Sequence, residues 1–157
     1  YCTTIWSPYH QVYITMLENV LRKFCKYLHL KIFHLYPPFH CETDILCSAV
    51  NEDQLWARRK VASLIFLQKL IHGQINCPVL LDLLHFVCPR TNNRTSITFY
   101  FDIPRTQHHF NSPLITSLRL YNISVGKVVD IFYDNFCKAN IRKKLFAILY
   151  DDHMMHA

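Results

Sequence analysis

The segment from Asn51 to Gly73 constrains this chain more than any other, because both of its ends are punctuated. Asn51 suits an N-cap, Gln54 three residues later gives a variant of the capping box, and Glu52 and Asp53 suit the positive end of a helix. Gly73 supplies a left-handed stop. The pattern predicts a helix over 52–72, with Leu55, Ala62, Ile65, Phe66 and Leu70 on its apolar side and Arg58, Arg59 and Lys60 as a basic cluster. Gly73 and Gly126 are the only glycines among 157 residues, against seven prolines. That scarcity excludes a Gly-rich phosphate cradle of either the GxGxxG or the GxxxxGK[ST] kind.

Helical signals continue on both sides of this element. Ser7-Pro8 reads as a helix start, and Tyr13, Leu17, Val20, Leu21, Phe24 and Leu28 recur at three- and four-residue steps to about Leu30. Arg22, Lys23 and Lys26 fall largely off that stripe. Pro37-Pro38 marks a linker, and a short helix over 44–49 follows. Pro78 opens a further short helix over 79–86. After Pro89 the segment 90–95 is polar, and then Ile97, Phe99, Phe101 and Ile103 alternate with polar neighbours, the period of a strand whose partner the sequence does not mark. Residues 104–112 read as loop, Ser112-Pro113 starts a helix to about Asn122, and 130–150 reads as a last helical region ending on Arg142, Lys143 and Lys144. The expected fold is mainly α, a helical bundle with one or two short strands in the C-terminal half. Its expected organisation is a helical region over 1–88 and a tail region over 89–157.

Composition bounds the function classes. Hydrophobic residues make up 51% of the chain and aromatics 14%, so a packed core is expected rather than disorder. Seventeen Lys and Arg against eleven Asp and Glu give a formal charge of +6, which points to a polyanionic partner. The apolar runs are shorter than the ~20 residues of a membrane span. Seven cysteines are irregularly spaced without a CxxC, and no charged n-region followed by an apolar stretch opens the sequence. Buried reduced thiols and an intracellular location, nucleus or cytoplasm, are the expectation. The start at Tyr1 rather than Met suggests a piece of something longer.

No catalytic constellation stands out. Glu52-Asp53 is explained by helix-end electrostatics. Leu149-Tyr150-Asp151-Asp152 is superficially like the aromatic-x-Asp-Asp metal motif of reverse transcriptases, but Leu149 sits where the aromatic belongs and a helix precedes it. A two-metal site would need a further carboxylate, which nothing marks. Cys77, His85 and Cys88 have the spacing of a partial zinc knuckle, with His40-Cys41 and His108-His109 as further ligand candidates. The stretch between Cys77 and His85 is an amphipathic core-type helix, which favours buried thiols over a four-ligand site. No catalytic residue, metal or cofactor is assigned. Two glycosylation sequons begin at Asn93 and Asn122 and are discounted for want of a secretion signal.

The basic clusters are the most useful feature. Arg22, Lys23 and Lys26, then Arg58, Arg59 and Lys60, and then Arg142, Lys143 and Lys144 each lie on a predicted helix, where such groups can neutralise phosphates without reading bases. A solvated helix face is the plain alternative.

The order of motifs adds to this. Trp6-Ser7-Pro8-Tyr9 leads to Glu18 and Arg22-Lys23-Phe24. Leu55, Arg58-Arg59, and Leu64 through Phe66-Leu67-Gln68-Lys69-Leu70 to Gly73 come next. Asn76-Cys77-Pro78, Leu80-Leu81, Pro89-Arg90, Arg94, Asn111-Ser112-Pro113-Leu114 and Asp130-Ile131-Phe132 close the series. Over about residues 4 to 149 this succession resembles the region after the polymerase palm in reverse transcriptases of non-LTR retrotransposons, the jockey-like LINE elements. The resemblance implies a thumb or connection region and its C-terminal tail, a helical bundle lying against an RNA/DNA template–primer duplex. The fingers and palm, which hold the metal-binding aspartates in that family, would lie upstream. Carried over by position, Arg22, Lys23, Arg58 and Arg59 become candidates for backbone contact, and Arg58-Arg59 matches the family's double arginine. Such a chain is a non-catalytic fragment that does not polymerise by itself. The rival expectation is a degenerate transposon remnant acting, if at all, as a helical protein-interaction fold, with apolar faces such as 64–70 left without their native cover.

Overall fold

The helix announced by Gly73 ends as the sequence predicts. In the computed structural model, which describes residues 3–37, 42–50, 52–88, 97–124 and 131–132, Gly73 adopts φ 67°. Its N–H donates to the Leu70 carbonyl at 3.2 Å and the Gln74 N–H donates to that of Lys69 at 2.9 Å, a Schellman closure of the last turn. The start differs from expectation. The helices in order are α1 Gln11–Phe33, α2 Thr43–Ala49 and α3 Leu55–Ile71, then α4 Pro78–Asp82, α5 Gln107–Phe110 and α6 Pro113–Ser124. Strands β1 His85–Phe86 and β2 Phe99–Tyr100 separate α4 from α5. The fold is therefore mainly α with two short antiparallel strands. Among the described residues no helix is long and apolar enough to cross a membrane.

Helix α3 begins at Leu55, so Glu52 and Asp53 precede it rather than forming its first turn. Asn51, the expected cap, lies outside the described residues. The buried arc of α3 is Ala57, Val61, Leu64, Leu67 and Leu70, whereas Leu55, Ala62, Ile65 and Phe66 are only half-buried. The run from Val61 to Leu67 is apolar apart from Ser63, so periodicity alone does not single out one face. Leu64, Leu67 and Leu70 are fully covered, which overturns the expectation that this face lacks cover.

The chain divides into two compact units, Trp6–Arg59 and a second made of Tyr1–Ile5 with Lys60–Ala157. In the first, Leu21 and Cys25 of α1 pack with Leu46 and Cys47 of α2, with Val50 and Leu55 against them. The Cys25 and Cys47 sulfurs lie 3.5 Å apart. Of the stripe expected on α1, Leu21 is buried and Leu28 half-buried, but Tyr13, Leu17, Val20 and Phe24 are exposed. The reason is geometric, since α1 carries apolar residues around more than half of its circumference and its packing in the core uses only part of them. Helix α1 starts after His10, not at Ser7-Pro8, and runs on to Phe33. It stops at His34, which takes the left-handed conformation with φ 55° that glycine adopts more easily.

In the second unit, α4 stops at Asp82, so the helix expected over 79–86 is shorter. His85 and Phe86 instead provide the missing strand partner, pairing with Tyr100 and Phe99. Phe99 is fully buried, and its ring lies 5.2 Å from those of Phe86 and Tyr121 and 6.3 Å from that of Phe132. The open edge of β2 is closed by a side chain. Asn122 Oδ1 accepts the Phe99 N–H at 3.1 Å, while its Nδ2 donates to the Phe99 carbonyl at 2.8 Å. Both polar atoms of the Asn122 amide, the expected sequon residue, are thus engaged within the fold. Residues 107–110, expected as loop, form the one-turn α5, capped by Thr106 Oγ1 accepting the His109 N–H at 3.2 Å. Ser112-Pro113 starts α6 as expected, and the Thr116 N–H donates to the Ser112 carbonyl at 2.9 Å. The helix expected over 130–150 lies outside the described residues except for Ile131 and Phe132, which form a turn.

Two outcomes are expected. His34→Gly relieves a left-handed non-glycine residue and raises stability by roughly 0.5–1 kcal/mol, after allowance for the freer unfolded chain, measured as a higher urea midpoint. The Tyr100 hydroxyl donates to Asp102 Oδ1 at 2.9 Å, and this bond, with the carboxylate's charge, holds the phenol protonated above its ordinary range. Asp102→Ala should bring the Tyr100 transition back down towards the ordinary value of about 10 in a spectrophotometric alkaline titration.

Candidate nucleic-acid interface

One side-chain contact joins α1, which carries Arg22, Lys23 and Lys26, to the start of α3, which carries Arg58 and Arg59. Glu18 Oε1 accepts the backbone N–H of Trp56 at 3.2 Å. Trp56 is the second residue of α3, so a carboxylate from 38 positions earlier satisfies one of the orphan donors of that helix end and faces its positive dipole. Gln54 adds a second brace, its Oε1 accepting from the Trp56 indole N–H. The sequence quoted Glu18 only as part of a motif series. A cap donated from a distant helix leaves no local spacing signal.

Arg22 and Lys26 follow Glu18 at four-residue steps, so all three lie along one line of α1. At about 100° per residue, Arg22, Lys26 and Lys23 together occupy a sector of about 100° on one flank of that helix. Arg22 and Lys26 are half-buried and Lys23 is exposed. On α3 the geometry is less favourable. Three consecutive helical residues fan through about 200°, so Arg58, Arg59 and Lys60 do not share a face. Lys60 is four and seven residues ahead of the buried Leu64 and Leu67, which places it on their side of the helix, and it is half-buried. It also opens the second unit, while Arg22, Lys23, Lys26, Arg58 and Arg59 all belong to the first.

Acidic groups temper the field. The exposed Arg58 guanidinium lies 3.5 Å from Glu52 Oε2, an ion pair of about 0–1 kcal/mol at such exposure that a phosphate can displace. Asp53 precedes α3 as well, so three carboxylates stand near the same helix end as the two arginines. The first unit thus offers a basic flank on α1 and two arginines beyond the Glu18 cap, with Lys60 set apart.

Comparison with protein-family models, with curated proteins and with solved structures gives no match. The reading of the surface therefore rests on its own geometry.

The remaining candidates are dispersed. Arg142, Lys143, Lys144, Asp151 and Asp152 lie outside the described residues, as do His40 and Cys41. Among the described residues no group of three or more His, Cys, Asp or Glu side chains is placed to hold a metal ion. Cys25 and Cys47 are buried as expected of reduced thiols, but Cys77 is half-buried and Cys88 exposed, so the expectation of burial fails there. One cation not foreseen is Arg119, whose guanidinium carbon stands 4.0 Å from the centroid of the Phe110 ring. Its partial burial lowers its pKa from the ordinary arginine value.

Glu18→Ala removes both the acceptor and the charge at the α3 terminus. It should cost about 1 kcal/mol in equilibrium denaturation, with faster hydrogen exchange at the Trp56 amide.

Proposed function

We propose that this chain is a non-catalytic helical region derived from a retrotransposon reverse transcriptase, and that its Trp6–Arg59 unit rests against the phosphate backbone of an RNA–DNA template–primer duplex. The observation that carries the reading is the Glu18–Trp56 contact, which fastens the basic flank of α1 to the helix end bearing Arg58 and Arg59. Guanidinium and ammonium groups held on helices can pair with successive phosphates without reading bases, so the contact is sequence-tolerant. The ordered motif series supports that family origin, and in that family polymerisation belongs to an upstream fingers–palm domain. On this reading the chain works with such a domain and does not catalyse alone.

A second reading, a helical protein-interaction fold, is favoured by one separate observation: much of the apolar surface of α1 is open to solvent.

Binding of an RNA–DNA hybrid should weaken steeply as salt is raised, similarly for hybrids of unrelated sequence. Arg58→Ala combined with Arg59→Ala should lower affinity for all of them and flatten the slope of log affinity against log salt by about two. Fluorescence anisotropy over a salt series measures both. An affinity indifferent to salt, or a loss confined to one sequence, overturns the reading.

A further inference from the structure

The exposed apolar arc of α1 and its charges single out one kind of occupant. Val20 is 64% exposed, Tyr13 57%, Tyr27 55% and Phe24 49%, and Met16 and Leu17 are exposed beside them. Tyr13, Leu17, Val20, Phe24 and Tyr27 recur at alternating steps of four and three residues, the spacing of a seam that receives another helix. The centre of this arc lies about 100° around the helix from Leu21 and Cys25, the α1 residues buried in the unit's core. From Val12 to Lys31 it runs for about 28 Å at 1.5 Å per residue.

The charges on the arc are all of one sign. Lys31 caps the end of the seam at the next four-residue step after Tyr27, Lys23 lies on its flank, and both are exposed. The Lys31 ammonium sits 5.7 Å from the centroid of the Tyr27 ring. The single acid of α1, Glu18, points elsewhere and accepts the Trp56 N–H. A second α1 laid on this arc would bring lysine towards lysine in either direction, because no carboxylate of the helix is on that side. Association of like charges is disfavoured, and complementary charge selects the partner.

We infer that the exposed arc of α1 docks an amphipathic helix from another protein, one that presents an apolar stripe flanked by Asp or Glu side chains opposite Lys23 and Lys31. The apolar stripe supplies the driving force and the acidic flanks supply the choice of partner. This site shares Lys23 with the basic flank of α1 but includes neither Arg58 nor Arg59, so loss of hybrid binding in their double variant leaves it untouched.

The test uses the whole chain and two synthetic helical peptides of about 20 residues, the length that spans the arc at 1.5 Å per residue. Both carry leucine at alternating three- and four-residue steps. One has glutamate at the flanking positions and the other lysine. The acidic peptide should bind at least about tenfold more tightly in calorimetry at low salt. Lys23→Glu combined with Lys31→Glu should reverse the order of the two peptides. Val20→Asp combined with Phe24→Ser should abolish binding while circular dichroism stays native, since both side chains are exposed. Equal binding of the two peptides, no binding of either, an order unchanged by the lysine reversal, or self-association of the chain alone in sedimentation overturns the inference.

Discussion

Burial of one side of α3 is the constraint on which the rest depends. Ala57 belongs to the first unit and Val61, Leu64, Leu67 and Leu70 to the second, so a single helix supplies buried residues to each. At about 25 cal/mol per Å² of apolar area, each of these leucines contributes roughly 1.5–3 kcal/mol, well above any surface ion pair in the molecule. The helix must therefore start and stop at fixed places. Gly73 ends it with two backbone bonds, and Glu18 with Gln54 holds its start.

The sequence made some of this legible and hid the rest for identifiable reasons. Gly73 and Ser112-Pro113 act through their own backbone preferences, and both sit where their chemistry predicts. The start of α3 is not legible locally, because its Trp56 N–H is held by a carboxylate 38 residues earlier in the chain. The strand partner was hidden because His85 and Phe86 follow Leu80, Leu81, Leu83 and Leu84, a run that reads as helix until Asp82 ends it. The bond pair from Asn122 to Phe99 joins residues 23 apart, a separation at which no spacing rule operates. In the candidate site, the residue types were readable but their directions were not. Whether Lys60 shares a face with Arg58 follows from which arc of α3 is buried, and an almost uninterrupted apolar run does not reveal that arc.

Opposing charges shape what the first unit can grip. Glu52 and Asp53, just ahead of α3, weaken the field of the arginines beside them. On the proposed reading, a surface built this way would bind polyanions by exchange, trading a weak internal pair for a phosphate. Such exchange favours fast release over tight retention, in keeping with a surface that would follow a duplex as it advances.

The Glu18–Trp56 bond also sets an order of assembly. Residues 18 and 56 are far apart along the chain, so their meeting requires closure of a long loop, which is slow compared with winding a helical turn. The opening turn of α3 thus gains its missing acceptor only after α1 has arrived, and the second half of the helix, anchored by Gly73, has no need to wait. If that acceptor is needed for the first turn to hold, the helix would grow from its C-terminal end towards its N-terminal end, a kinetic signature of a borrowed carboxylate.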